Sequence, residues 1–274
     1  MLNAKKHQRS VTARFSAASA TYHERAEVQK IVAERLLSLA SAVRSIGPIE
    51  RILEIGSGTG GLTELFLGHF PGVTIDAMDT SKEMIDQAKE RLAGNDRVRW
   101  FVSDLKTFAP HVLYPLIVSS SSMHWIWPVE DGLRRMADLL EVGGDVVVAL
   151  MLHGTLAELH AMRLGVAPHK PPLGRLPLAE EVLSGLERVG LRVLAKRLET
   201  IRKDYVSADA FLRTIHEQGL TGGDVSSSER PLTRGELQRL RAEYEARYTN
   251  GGSGVFASYK VLYLRATKTN TALK

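Results

Sequence analysis

The chain has 274 residues, of which 44% are hydrophobic and 24% charged, and 36 basic against 31 acidic side chains give a formal net charge of +5. This length fits one large domain, or one domain with a modest accessory part. The chain has no cysteine, which excludes disulfides, thiolate zinc sites, iron–sulfur clusters and a cysteine nucleophile. The basic surplus favours acidic partners without choosing among nucleic acid, phospholipid and acidic protein.

The apolar segments are too short to cross a membrane. The longest run, residues 146–152, is about a third of the ~20 residues that a spanning helix needs. Lys5, Lys6 and Arg9 resemble the start of a signal peptide, but Arg14 interrupts the stretch where its apolar region would have to follow. We therefore expect a soluble, cytoplasmic protein without a membrane segment.

Apolar periodicity predicts a helix at residues 22–46, ended by Gly47-Pro48, and then strands in alternation with helices. The predicted strands are residues 51–55, 73–78, 98–102, 116–119 and 145–150, and the helices between them are residues 62–69, 81–92 and 129–140, the second opened by Ser81 as N-cap. This alternation predicts an α/β fold with a doubly wound, mostly parallel sheet and helices on both faces.

After residue 152 the alternation is interrupted. Helices are predicted at residues 155–164, 179–189, 207–218 and 233–248, a Gly- and Ser-rich loop at 222–228, and strands at 192–201 and 255–264. We predict an N-terminal helical cap at residues 1–47 and a main domain at 48–274, with lid insertions near 152–178 and 205–250. Such insertions would cover the carboxyl edge of the sheet, where ligands of open α/β sheets bind.

The glycine-rich segment after the first strand, L-E-I-G-S-G-T-G-G at residues 53–61, fits two patterns. Gly56, Gly58 and Gly61 fit the dinucleotide pattern, whereas Glu54 followed by Gly56, Gly58 and Gly60 fits the methyltransferase pattern. A pyrophosphate binds at a helix N-terminus because the dipole there favours an anion, and Glu54 would repel it. S-adenosylmethionine carries an ammonium and a sulfonium instead, so the charge favours this cofactor.

Two further acids end the next two strands of the predicted sheet. Asp79 can accept hydrogen bonds from two ribose hydroxyls with either cofactor, and Asp104 is placed to accept one from the adenine amino group. Three acids at the ends of three successive strands favour S-adenosylmethionine over a dinucleotide and over an unrelated glycine turn.

The loop with its three acids resembles the class I S-adenosylmethionine-dependent methyltransferases, over about residues 48–152. The flanking segments are similar to the malonyl-acyl-carrier-protein O-methyltransferases of biotin synthesis. The similar segments are R-F-S at 14–16, A-T-Y-H at 20–23, A-E-V-Q at 26–29, S-S-S-S-M-H-W at 119–125, G-T-L-A-E-L at 154–159, Tyr205 with Phe211-Leu212, and L-T-R at 232–234.

The resemblance implies a seven-stranded Rossmann-like methyltransferase that binds S-adenosylmethionine and no metal. The cofactor-binding residues that it implies are Gln29, Glu54, Gly56, Ser57, Gly58, Gly60, Asp79, Thr80, Met84, Asp104, Leu105 and Ser119. The acceptor-side residues, taken as catalytic, are Tyr22, His124 and Trp125. Tyr22 and Gln29 are seven residues apart and so share a helix face, which is expected to cap the cofactor and the acceptor.

The implied reaction is methylation of the free carboxyl group of malonyl-acyl-carrier protein, or of malonyl-CoA, to the methyl ester. A carboxylate is already ionised at neutral pH and needs no general base. His124 is expected to donate a hydrogen bond to it, and Trp125 to wall the pocket. Pro115, Ser120 and His124 stand where the family usually has an acid, Asn and Gln, and this leaves a small-acid methyltransferase of the trans-aconitate type as the alternative.

Residues 159–179 contain His160, Arg163, His169, Lys170 and Arg175 but no acid. This run predicts either a docking surface for an acidic acyl carrier protein or a solvated basic loop. Arg163 or Arg175 is alternatively expected to pair with the acceptor carboxylate.

Two further functions remain open at this point, an RNA-modifying enzyme and a cofactor-binding regulator without catalysis. Aromatic residues make up only 6% of the chain, with no module that interleaves them with basic residues, and this disfavours RNA. We therefore expect no nucleic-acid partner, and the sequence does not fix the oligomeric state.

Overall fold

The computed structural model of the chain describes residues 2–43, 49–172, 174–220 and 230–270, with side chains from residue 11 onward. The helices are α1 (Leu2–Arg25), α2 (Glu27–Ala40), α3 (Gly61–His69), α4 (Lys82–Arg91), α5 (Val129–Leu139), α6 (Ala157–Val166), α7 (Ala179–Arg188), α8 (Ala208–Glu217) and α9 (Arg234–Arg247). The strands are β1 (Arg51–Ile55), β2 (Thr74–Asp79), β3 (Val98–Val102), β4 (Tyr114–Ser120), β5 (Leu140–Met151), β6 (Leu191–Tyr205) and β7 (Val255–Lys268). A 3-10 turn follows β4 at Met123–Trp125.

The seven strands form one mixed sheet in the order β3-β2-β1-β4-β5-β7-β6. The first five in chain order run parallel, and β7 runs antiparallel to both β5 and β6. The prediction of a doubly wound, mostly parallel, seven-stranded Rossmann-like sheet is confirmed. Since β1 lies between β2 and β4, the strand order reverses beside it, and ligands of open α/β sheets bind at such a reversal.

Each face of the sheet packs against its own helical layer. Ile52 belongs to the core that contains α2, α3, α6, α8 and α9, whereas its neighbour Leu53 belongs to the core that contains α5 and α7. Side chains alternate between the faces of a strand, so a strand covered on both faces is apolar at consecutive positions. This explains the apolar runs of β4 and β5, whose residues 116–118 and 146–150 are all buried.

The predicted helix at residues 22–46 is instead two helices, and α1 extends far towards the N-terminus. The break falls at Ala26, which lies outside the helical backbone region (φ −81°, ψ 46°). The segment of α1 is rich in Ala, Ser and Thr and has no continuous apolar stripe, so periodicity does not detect it. The Gly47-Pro48 stop, the 47/48 domain boundary and the 222–228 loop lie outside the described residues.

The expected insertions contain α6, α8 and α9. Helix α9 packs against both α6 and α8, and these two helices contact β7. The division into a cap at 1–47, a main domain at 48–274 and two lids stays a prediction. Within the described residues, no helix combines the length and the apolar character needed to cross a bilayer.

Candidate active site

The glycine loop between β1 and α3 depends on left-handed backbone at alternate residues, with φ of +72° at Gly56, +53° at Gly58 and +80° at Gly60. A Cβ atom at Gly56 would lie 1.9 Å from Ser122 Oγ, so no other residue fits there. A Cβ at Gly58 would meet nothing within 4 Å, because this residue borders open cavities. A Cβ at Gly60 would press on Ala88 and Leu92, so this glycine serves the packing of α3 against α4.

One of the predicted acids binds this loop, and a second binds the helix that follows it. Asp79 Oδ2 accepts a hydrogen bond from the Gly58 backbone N–H, and Oδ1 accepts one from the Ser81 N–H, each at 2.9 Å. Glu54 is buried and accepts a bond from Thr63 Oγ1 at 2.6 Å. Burial raises the pKa of Asp79 and raises that of Glu54 to about 8. Glu54 therefore favours a cationic ligand, which would stabilise its charged form.

Three adjoining cavities lie at the carboxyl edge of the sheet. The β2–β3 cavity, of about 90 Å³, is lined by residues that include Phe15, Met78, Asp79, Thr80, Met84, Asp104, Leu105 and Trp125. The α2 cavity, of about 270 Å³, is lined by residues that include Gln29, Lys30, Glu54, Ser57, Gly58, Thr59 and Gly61. The histidine cavity, of about 50 Å³, is lined by residues that include Gln29, His124, Trp125, Thr155, Leu156, His160 and Tyr259.

Tyr22 and Ser121 line all three cavities, so they mark the point where these meet. Ser121 has left-handed backbone (φ 55°), and its N–H donates to the Ala149 carbonyl at 2.8 Å. A non-glycine residue in this region costs about 1–3 kcal/mol and persists only where the surroundings enforce it. The strain lies where two ligands would meet.

Five buried polar atoms on these walls have no hydrogen-bond partner among the described residues. They are Gln29 Oε1, the hydroxyls of Ser57, Ser120 and Ser121, and His160 Nδ1. A buried polar group left unpaired costs about 1–3 kcal/mol, so each such group in a native fold calls for a partner. Their gathering around one set of cavities indicates a site for polar ligands.

His124 lies on the wall of the histidine cavity as a neutral hydrogen-bond donor. The Met151 backbone N–H donates to its Nδ1 at 3.3 Å, and this places the ring proton on Nε2. Burial lowers the pKa of His124 to about 3, so the ring is uncharged at neutral pH.

Aromatic rings separate the β2–β3 cavity from the histidine cavity. Trp125 meets Phe15 edge-on with ring centroids 5.8 Å apart, and Phe15 meets Tyr22 edge-on at 5.9 Å. Trp125 and Phe15 line both cavities, which agrees with the expectation that Trp125 walls a pocket.

Of the residues taken above as cofactor-binding or catalytic, all but Gly60 and Ser119 line at least one of the three cavities. Gly60 serves packing, as described above. Ser119 is fully buried, and its hydroxyl donates to the Ile55 carbonyl at 2.8 Å, so it joins β4 to β1. Ser120 and Ser121 line the cavities in its place.

Sequence reasoning also missed residues that the fold brings to these walls. Phe15, Ser120, Ser121, Ser122, His160 and Tyr259 are the clearest cases. The serine run at 119–122 indicates a polar site after β4, but it does not show which of the hydroxyls line the cavities. No sequence pattern marks Tyr259 as a site residue, because it reaches the site only where β7 inserts antiparallel between β5 and β6.

The basic run at residues 159–179 is not a free cationic surface. Lys170 is buried and donates from Nζ to Glu236 Oε2 at 2.7 Å and to the Pro231 carbonyl at 3.0 Å. Arg175 pairs with both carboxylate oxygens of Glu181, at 2.5 and 2.8 Å. The docking prediction is therefore wrong for Lys170, and Arg175 is not supported as the partner of an acceptor carboxylate. The compensating acids come from α7 and α9, outside the run.

Comparison with known proteins shows which proteins this chain resembles. Residues 53–146 match the family model of a methyltransferase domain. The malonyl-[acyl-carrier protein] O-methyltransferase 2 of Ilyobacter polytropus is 27% identical over 90% of this chain and 93% of its own length. The malonyl-[acyl-carrier protein] O-methyltransferase of Priestia megaterium is 29% identical over 94% and 96%. The resemblance stated from the sequence is confirmed.

A solved structure shares the fold at low sequence identity. It is the geranyl diphosphate C-methyltransferase of Streptomyces coelicolor in complex with Mg²⁺, geranyl diphosphate and S-adenosyl-L-homocysteine. Its superposition on this chain has a TM-score of 0.52 at 15% sequence identity, and it covers 86% of this chain and 79% of the solved chain.

Proposed function

Since the chain is an S-adenosylmethionine-dependent methyltransferase, we propose that it methylates the free carboxyl group of malonyl-acyl-carrier protein, giving the methyl ester in biotin precursor synthesis. The observation that carries this proposal is the meeting of the three cavities at Tyr22 and Ser121. The β2–β3 and α2 cavities are lined by several acidic and serine side chains, and the histidine cavity is lined by neutral hydrogen-bond donors. Both relatives named above for their sequence identity over most of the chain are malonyl-[acyl-carrier protein] O-methyltransferases, so a small free acid of the trans-aconitate type is not favoured.

The residues of the first two cavities fit S-adenosylmethionine. Asp79 keeps lone pairs for ribose hydroxyls beyond its two backbone bonds, since a carboxylate accepts about four hydrogen bonds. Asp104 Oδ1 accepts from the Lys106 N–H at 2.9 Å, which leaves Oδ2 for an adenine amino group. Met84 and Leu105 would supply apolar walls for the cofactor, and Glu54 would supply a counter-charge for its cationic groups. When bound, this cofactor supplies an electrophilic methyl group on a sulfonium.

The acceptor side binds and orients rather than moving protons. His124 donates from Nε2 to the acceptor carboxylate, and the cluster of Phe15, Tyr22 and Trp125 excludes water. Among the described residues that line the histidine cavity there is no Lys, Arg, Asp or Glu. A carboxylate held by neutral donors keeps its negative charge and therefore its nucleophilicity. Alignment of the two reactants supplies several kcal/mol of barrier reduction.

The protein partner and the location belong to the same proposal. We infer an acidic acyl carrier protein as partner from the named relatives, and a cytoplasmic location stays a prediction. The corrected basic run no longer supplies its docking surface.

The deciding experiment incubates the chain with S-adenosylmethionine and malonyl-acyl-carrier protein, followed by intact-mass measurement. We expect a methyl-sized gain, and no gain on acetyl-acyl-carrier protein, which lacks the free carboxyl group. Free malonate and trans-aconitate are compared in parallel. A gain on either free acid without one on the malonyl-carrier protein would reject the proposed acceptor.

A further inference from the structure

The histidine cavity contains a second imidazole, which the sequence offered only as part of a basic run. His160 lines this cavity together with His124. At about 50 Å³ the cavity has room for only a few water-sized groups, so a ligand inside it lies close to every wall.

The start of α6 holds His160 in place. Leu156, the residue before the helix, has left-handed backbone (φ 54°), and its N–H donates to the Ser258 carbonyl at 2.7 Å. Thr155 Oγ1 donates to the Lys260 carbonyl at 3.1 Å and accepts from the Lys260 N–H at 3.0 Å. The His160 N–H then donates to the Leu156 carbonyl at 3.0 Å. These bonds fix the first turn of α6 to β7.

The ring of His160 has an unused polar atom. Its Nδ1 is buried and has no hydrogen-bond partner among the described residues. Burial first, and then the nearby Arg163 and His153, lower the pKa of His160, so the ring is neutral. A neutral imidazole carries one N–H donor, which is Nδ1 in one of its two tautomers.

We propose that His160 is a second acceptor-binding residue, which donates from Nδ1 to the acceptor carboxylate that His124 also holds. The inference rests on the proposed carboxyl methylation and deepens it. Two neutral donors bind an anion without leaving an uncompensated charge buried when the acceptor is absent. Methylation removes the negative charge, so the same donors hold the ester more weakly and favour its release.

Two variants of nearly equal shape test the proposal. In His160→Asn, an amide NH₂ stands close to the position of Nδ1, whereas His160→Asp places a carboxylate oxygen there. The acceptor is malonyl-acyl-carrier protein, and its Kd is measured by calorimetry on the complex of the chain with S-adenosylhomocysteine. We expect this Kd to rise less than about 5-fold for the Asn variant. For the Asp variant we expect a rise of at least about 100-fold, because like charges then meet. The Kd of S-adenosylhomocysteine itself should stay within about 2-fold in both.

His153→Asn is the matched control, because His153 is exposed, lies near His160 and does not line the cavity. We expect it to leave the acceptor Kd unchanged. An equal loss of acceptor binding in the Asn and Asp variants, or a parallel loss of S-adenosylhomocysteine binding, would overturn the role of His160. If the Asp variant does not fold, His160→Leu takes its place. Equal losses of acceptor binding in the Asn and Leu variants would then also overturn the role of His160. Failure of the unaltered chain to methylate any malonyl acceptor would instead reject the proposed function.

Discussion

Replacing Glu54 with Gln should remove a pH-dependent weakness of the ligand-free fold. In the folded chain the pKa of Glu54 is about 8, against 4.5 for the free side chain, because the group is buried. Between these values the folded state binds a proton that the unfolded state has released, so stability falls by up to about 1.4 kcal/mol per pH unit as pH rises. The loss from this one group between pH 5 and pH 8 is therefore about 3–4 kcal/mol.

Gln is neutral and can still accept the hydrogen bond from Thr63 Oγ1. Without cofactor, Glu54→Gln should melt roughly 10 °C higher than the unaltered chain at pH 8, and only slightly higher at pH 5. Its affinity for S-adenosylmethionine should fall by about 10–100-fold, because the cationic ligand loses its counter-charge. Melting curves at both pH values and calorimetric titration check this. An equal difference in Tm at pH 5 and pH 8 would refute the assignment of the charge to Glu54.

Gly56→Ala should lower the free energy of unfolding by about 2–4 kcal/mol and abolish cofactor binding, because its Cβ overlaps Ser122. Gly58→Ala should lower it by only about 1 kcal/mol and mainly weaken cofactor binding. Thermal melts and cofactor titrations of the two variants test this difference. Lys170→Met should lower the Tm, because the Glu236 carboxylate loses its ammonium partner. Adding Glu236→Gln should recover most of this loss in thermal melts, and no recovery would show that the ion pair is not the cause. Since the pKa of His124 is about 3, kcat/KM at saturating cofactor should show no inflection from His124 between pH 5.5 and 8.5, and His124→Gln should lower the profile without changing its shape.

The features that follow from local chemistry could be predicted from the sequence. The sequence predicts Ser81 as a helix N-cap, and its hydroxyl accepts a hydrogen bond from the Met84 N–H as a cap should. Glu54, Asp79 and Asp104 were placed at one edge because parallel strands end on the same side.

The features that depend on distant parts of the chain could not be predicted. Glu236 neutralises Lys170 across 66 residues, and composition carries no sign of this contact. The choice of Ser120 and Ser121 over Ser119 depends on where β4 ends and on the left-handed Ser121, neither of which periodicity determines. The position of β7 between β5 and β6 likewise follows from packing, and it alone brings Tyr259 to the site.

The attachment of α1 bears on how fast ligands exchange. Over its described side chains, α1 is joined to the β2–α4 turn and the start of α4 by hydroxyl groups. Thr12 pairs with Thr80 and Ser16 with Ser81, each at 2.9 Å, and Ser16 Oγ donates to Glu83 Oε2 at 2.6 Å. Neutral hydroxyl bonds each contribute about 1 kcal/mol, and the bond to Glu83 is exposed to solvent. The helix over the β2–β3 cavity is thus held by exposed or half-buried side-chain bonds, whereas Asp79 at the base of the cavity binds two backbone amides. We expect thermal breathing of α1, rather than any motion of the sheet, to set the residence time of the cofactor.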